Sequence, residues 1–204
     1  MLGPRIGVIE YGAGNISSVV QAFDYLGHDV VICSAPAQAA ACSHLVLPGV
    51  GAFNQAAGAL AETGFADAIR RHVDGGRPFL GICLGMQMLF DYGTEHGTHP
   101  GLGLAAGSVQ PLAEAHPQVR SPNTGWMRVD LTTGSGLGEA AGEYFYFNHG
   151  YVCWPADERL VTGRTRSDGI VAVIEKANMI GVQFHPEKSH AAGLGVLRRF
   201  AALV

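Results

Sequence analysis

Over the first half of the chain, short apolar runs alternate with longer amphipathic stretches, and glycine-rich turns separate them. Residues 5–10 read as a short buried strand. Tyr11-Gly12-Ala13-Gly14-Asn15 reads as a turn, and residues 16–26 carry helical spacing. Residues 29–33 and 44–47 predict two further strands, the second ending at Pro48-Gly49-Val50-Gly51. The Ala-rich stretch 54–75 is amphipathic and predicts one or two helices, while 35–41 is merely rich in alanine. Residues 78–82 predict a strand and 84–92 the helix that leaves it. Strands alternating with helices of this length imply a parallel, doubly wound α/β sheet.

The pattern changes near Pro100. From there to residue 180 the apolar runs are short and β-like, at 104–112, 127–131, 143–151, 170–175 and 179–184, with Gly, Pro and Asn between them. They predict an antiparallel or mixed extension of the same sheet rather than a second domain. Residues 191–203 then close the sequence as a helix. Residues 1–204 are expected to form one domain, a length that supports a proper core.

Composition narrows the function classes. Hydrophobic residues make up 48% of the chain and charged residues 15%, an ordinary globular balance. A net charge of −4 offers no basic surface for nucleic acid or an anionic membrane. No apolar run approaches the ~20 residues of a membrane span. The sequence opens without a basic segment, a long apolar core or a cleavage site, so no secretory signal is expected and the cytoplasm is the default compartment. Cys33, Cys42, Cys83 and Cys153 lack metal-type spacing, and neither a disulfide framework, a metal nor a cofactor is expected. Of thirteen basic residues only Lys176 and Lys188 are lysines.

Cys83 carries the strongest chemical signal. It lies in Phe79-Leu80-Gly81-Ile82-Cys83-Leu84-Gly85-Met86-Gln87, the G-x-C-x-G form of a strand–turn–helix nucleophile elbow. The turn is strained and crowded, so its flanks must be small. The helix start that follows favours thiolate over thiol. A cysteine nucleophile also needs a base with an orienting partner. Among nine histidines, His185 stands out at the end of a β-like run in Gly181-Val182-Gln183-Phe184-His185-Pro186-Glu187-Lys188-Ser189. Pro186 stops the strand, and Glu187 is near enough to engage the far ring nitrogen. Each piece alone has an ordinary explanation: a buried packing cysteine, a histidine beside a proline, an acid near a helix start. Together they propose a Cys83–His185–Glu187 triad.

These segments resemble the signatures of the class I, triad-type glutamine amidotransferases. The resemblance rests on Pro48-Gly49-Val50-Gly51, on the Cys83 elbow and on the His185-Pro186-Glu187-Lys188-Ser189 end. Tyr11 to Asn15, Gly101-Leu102-Gly103-Leu104 and Tyr144-Phe145-Tyr146-Phe147-Asn148-His149 support it along nearly the whole chain. Within the family the likeness is to glutaminase subunits that pair with a (β/α)8-barrel cyclase in histidine biosynthesis. It implies a flavodoxin-like core and hydrolysis of L-glutamine by the triad, with ammonia passed to the cyclase in a heterodimer. It implies oxyanion donors from Leu84 and the Gly49-Val50-Gly51 segment, whose flanking glycines would let the central peptide rotate. It carries substrate contacts onto Gln87, Glu95 and the backbone at His149, Gly150 and Tyr151, and partner contacts onto Asn15, Trp126 and Lys188.

One stretch departs from the family pattern. Where members carry Pro-His-hydrophobic-Gly-Trp-Asn, this chain has Pro122-Asn123-Thr124-Gly125-Trp126-Met127. The departure bears on the partner face and hence on the ammonia acceptor. A paralogous glutaminase supplying ammonia for amidination of a bacterial surface sugar is therefore an alternative, as is a non-catalytic scaffold that regulates a barrel partner. Small cysteine-elbow hydrolases lack the terminal His-Pro-Glu, so Glu187 separates them.

Overall fold

The computed structural model describes residues 3–12, 14–132, 135–137 and 143–204. Ala13, in the turn expected at 11–15, lies outside the described residues. The first half alternates as expected: β1 (Arg5–Ile9), α1 (Ile16–Tyr25), β2 (Asp29–Cys33), α2 (Pro36–Ala40), β3 (His44–Gly49), α3 (Phe53–Glu62), α4 (Phe65–Asp74) and β4 (Phe79–Cys83). Next come α5 (Leu84–Gln87), β5 (Phe90–Gly93), β6 (His99–Pro100), β7 (Ala105–Pro111) and α6 (Leu112–Ala115). The remainder is β8 (Asn123–Leu131), β9 (Glu143–His149), β10 (Tyr151–Pro155), β11 (Val161–Thr165), β12 (Val171–Lys176), β13 (Met179–Val182) and α7 (His190–Ala201). A 3-10 turn over Pro186–Lys188 joins β13 to α7.

Among the described residues, nine strands build the main sheet in the order β2-β1-β3-β4-β13-β12-β11-β8-β9. β2, β1, β3, β4 and β13 run parallel, and β12, β11, β8 and β9 continue it antiparallel. The parallel part has the flavodoxin-like arrangement, with its functional crevice expected at the carboxyl ends of the strands. β3, β4 and β13 are buried throughout because helices cover both faces. Phe53, Ala56, Leu60, Phe65 and Ile69 of α3 and α4 pack on one face. Val19, Phe23, Val196, Leu197 and Phe200 of α1 and α7 pack on the other.

The second half departs from the sequence-based expectation in three places. The helix expected over 84–92 stops at Gln87, and Phe90 pairs with Ala105 in β5. Residues 84–90 are all buried, and an apolar run without a polar face cannot distinguish helix from strand. The strand at 104–112 does not extend the main sheet. It joins a second, four-stranded sheet ordered β10-β7-β5-β6. The strand at 143–151 divides at Gly150: β9 edges the main sheet, and the chain then crosses to pair β10 with β7. In addition, 35–41 folds as α2, started by Pro36 and by Gln38 Oε1 accepting the backbone N–H groups of Ser34 and Ala35 at 2.8 and 3.0 Å.

The elbow is held by close backbone contact. An added Cβ at Gly85 would lie 1.9 Å from the Leu47 carbonyl oxygen, and one at Gly81 would lie 2.6 Å from the Gly85 carbonyl oxygen. Glycine is required at both positions by this approach rather than by an unusual φ. Gly58 offers the contrast, exposed within α3 with open space where a Cβ would go. We expect Gly85→Ala to cost at least about 3 kcal/mol, and Gly58→Ala to gain about 0.5–1 kcal/mol. Urea denaturation of the two variants checks both signs, and equal effects would contradict this account of the elbow.

Candidate active site

Three strand ends and one turn converge. β4 ends at Cys83, with Gly49 at the end of β3 in register beside it. β13 lies on the other side of β4, with Val182 opposite Ile82, so the residues after Val182 continue past the elbow. Cys83 has φ +54° and ψ −109°, left-handed backbone that a non-glycine residue adopts only when its surroundings enforce it. Gly81 and Gly85 supply that enforcement. The helix after the thiol is one turn long, so its dipole contribution is smaller than a longer helix would give.

The three residues expected as a triad meet here. His185 Nδ1 bonds Glu187 Oε1 at 2.8 Å, and both side chains are almost wholly buried. Burial alone would lower the imidazole pKa. Hydrogen bonding to Cys83 and to Glu187 outweighs it and raises the value to about 9. The backbone of His185 is pinned as well: its N–H donates to the Tyr146 carbonyl at 2.9 Å, and its carbonyl accepts from Ser189 Oγ at 2.6 Å. The 3-10 turn begun by Pro186 then directs Glu187 back under the ring.

Gln183 is a neighbour that the sequence reading did not single out. Fully buried, it points Nε2 at Cys83 Sγ at 3.6 Å. Strand alternation could have found it, since positions 183 and 185 share a face. Its Oε1 accepts from Gln87 Nε2 at 3.1 Å, and the same Gln87 amide donates to the Tyr151 carbonyl at 3.1 Å. Gln87 is therefore a buried bracket between the nucleophile's surroundings and β10.

A cavity of about 230 Å³ opens over the thiol. Gln87, Glu95, His149, Gly150 and Tyr151 line it together with Val50, Gly51, Leu84 and Cys83. One oxygen of Glu95 is engaged, because Oε2 accepts the Phe53 N–H at the start of α3 at 2.7 Å. His149 is buried, which lowers its pKa to about 4 and keeps it neutral. Its Nδ1 faces the Tyr151 carbonyl at 2.9 Å, so that nitrogen carries the proton, and Nε2 accepts from Asn123 Nδ2 at 3.1 Å. A second cavity of about 240 Å³, beside Leu60, Arg70 and Leu102, holds no nucleophile.

The departing stretch divides by direction. Asn123 is buried and turned inward, bonding His149 and, at 3.0 Å, the sulfur of Met127. These two substitutions bond each other, and Asn123 also holds the ring of His149, which lines the cavity. Thr124 and Trp126 face outward, Thr124 donating to Asn148 Oδ1 at 3.0 Å. Trp126, 46% exposed, stacks on His190 at 5.0 Å between centroids and meets the Tyr146 ring edge-on. The Lys188 ammonium lies 5.9 Å from the centre of that same Tyr146 ring, which brings Lys188 and Trp126 onto one face. Asn15 stands exposed before α1 and donates to Ser18 Oγ at 2.9 Å. Among the described residues no three His, Cys, Asp or Glu side chains gather as metal ligands, and no helix is long and apolar enough to cross a membrane.

With this geometry in place, the comparisons with known proteins agree on a class. The model of the class-I glutamine amidotransferase family matches residues 7–202, and the chain belongs to that family. Two solved structures share the fold over 97% of this chain: a glutamine amidotransferase (TM-score 0.77, 20% identity, 99% of that chain) and PurLQS from Thermotoga maritima (TM-score 0.75, 19% identity, 97% of that chain). The particular likeness is narrower. The chain is 46% identical to the imidazole glycerol phosphate synthase subunit HisH of Chlorobium luteolum over 198 residues, 95% of this chain and 98% of that one. It is 41% identical to the HisH of Geobacillus thermodenitrificans, covering 98% of this chain and 96% of that one.

The raised imidazole pKa has a consequence for stability. The folded value of about 9 exceeds the ordinary 6.5, so the folded state holds the extra proton between those values. The contribution is complete below about pH 6.5 and is lost as pH rises toward 9. We expect Glu187→Gln to flatten this decline, measured by denaturant unfolding across that window. A decline as steep as that of the unsubstituted protein would show that the carboxylate does not hold the proton.

Proposed function

We propose that the chain is the glutaminase subunit of an imidazole glycerol phosphate synthase, acting as one domain over residues 1–204 in the cytoplasm. The observation that carries this reading is the convergence of Cys83, His185 and Glu187, with Cys83 opening into the cavity, in a chain that matches HisH relatives over nearly their full length. Cys83 attacks the side-chain amide of glutamine as thiolate, with the proton held by His185. His185 passes that proton to the departing ammonia and then takes one from the water that hydrolyses the thioester. Glu187 orients the ring and stabilises its cationic form. The N–H groups of Leu84 and Val50 receive the oxyanion. The free oxygen of Glu95 suits the α-ammonium of glutamine, and the backbone at His149, Gly150 and Tyr151 forms the opposite wall.

Ammonia released into water would be protonated, so it is delivered to a (β/α)8-barrel cyclase docked against the face of Trp126, Lys188 and Asn15. The departing residues Asn123 and Met127 bond each other, and Asn123 bonds His149, so they give no reason to assign a different recipient. The intact triad argues against a purely regulatory scaffold.

The test is glutamine hydrolysis by the purified chain, alone and with the cyclase and its nucleotide substrate. Low activity alone and strong stimulation by the pair are expected. Cys83→Ser should remove at least about a thousandfold of the stimulated rate. Gly49→Pro, which blocks rotation of the oxyanion segment, should also lower it. Unimpaired turnover in Cys83→Ser would overturn the mechanism, unimpaired turnover in Gly49→Pro the oxyanion assignment, and absence of stimulation the pathway in favour of the sugar-amidating paralogue.

A further inference from the structure

Tyr11 is a buried titratable group that the chemistry above does not use. It follows β1, is 4% exposed, and its hydroxyl oxygen is buried without a hydrogen-bond partner. Burial first, and then the proximity of Cys83, raise its pKa and keep the phenol protonated. The hydroxyl is packed against the oxyanion segment: an added Cβ at Gly49 would lie 2.8 Å from Tyr11 Oη, and from the same point 2.8 Å from Leu84 Cβ and 3.0 Å from Gly85 N. The ends of β1 and β3 and the elbow thus meet at this oxygen.

A buried unpaired hydroxyl costs about 1–3 kcal/mol, and phenylalanine would fill the same space without that cost. A protein acceptor reached in another conformation would remove that cost. The Cys83 backbone is fixed by Gly81 and Gly85. The Gly49–Val50 peptide is less constrained: residue 49 has no side chain, Gly51 has φ +104°, and Val50 is 42% exposed. β3 lies between β1 and β4. A peptide that points its N–H toward β4 and Cys83 points its carbonyl the opposite way, toward β1, the strand that Tyr11 follows.

We propose that Tyr11 is a positioning residue for the oxyanion hole, its hydroxyl donating to the Gly49 carbonyl when the Gly49–Val50 peptide turns the Val50 N–H toward the tetrahedral intermediate. The proposal rests on the glutaminase reading and deepens it: the turned peptide is held from behind by the phenol.

Tyr11→Phe removes only the oxygen. Assayed in the complex with the cyclase and its nucleotide substrate, the variant should lose about tenfold or more in kcat for glutamine hydrolysis, with KM within about twofold. Its Tm should be unchanged or higher, since an unpaired group has been removed. Alkylation of Cys83 by iodoacetamide, which needs no oxyanion donor, should proceed at the unsubstituted rate. Unimpaired kcat would overturn the inference, and so would a kcat loss matched by equally slowed alkylation, which would place the effect on the thiol. An inactive unsubstituted complex would overturn the glutaminase reading and this inference with it, whereas an active one with an unimpaired variant overturns the inference alone.

Discussion

The approach of the Leu47 carbonyl to Gly85 is the contact on which the rest of the site depends. It presses the single turn of α5 against the end of β3, and Gly81 allows the same turn to lie back over its own strand. Between these two glycines the backbone of Cys83 has nowhere to go but φ +54°, a conformation that costs about 1–3 kcal/mol and that packing on both sides offsets. The strained residue gains its position: the sulfur stands at the sheet's carboxyl edge, with the end of β3 on one side and the chain leading from β13 to His185 on the other.

Two buried imidazoles show how partners decide charge where burial is common to both. His149 faces a carbonyl and an amide, and its pKa falls to about 4. His185 faces a carboxylate and a thiol, and its pKa climbs to about 9. The neutral ring ties the cavity wall together, while the cationic one is equipped to hold and return a proton. Interchanging the neighbours, rather than the depth, would interchange the roles.

The parallel half of the fold and the meeting of Cys83, His185 and Glu187 were legible in the sequence for the same reason. Buried parallel strands announce themselves as continuous apolar runs, and the elbow's glycines and the His-Pro-Glu turn are local necessities of geometry. The second half was less legible because its partners are distant. Nothing local at 104–112 tells which sheet it joins, and the break at Gly150 that sends β10 to β7 has no composition signal beyond one glycine. Gln183 and Asn123 were overlooked or misdirected for a related reason: their meaning lies in Cys83 and His149, each far away in sequence. The inward turn of Asn123 changes what its departure from the family pattern means, from a feature of the outer face to a buried contact with Met127 and His149.

β13 carries one further implication. The strand that brings His185 lies in the middle of the nine-stranded sheet, between β4 and β12, yet it is the final strand in chain order. Gln183, which touches the sulfur, is 100 residues downstream of it. While the polypeptide is being synthesised, the thiol therefore exists for some seconds without acid–base machinery, beside a gap in the sheet. Closing that gap completes the sheet and brings His185 to Cys83 in one event, so under the proposed mechanism a product cut short before β13 would lack both the central strand and the base.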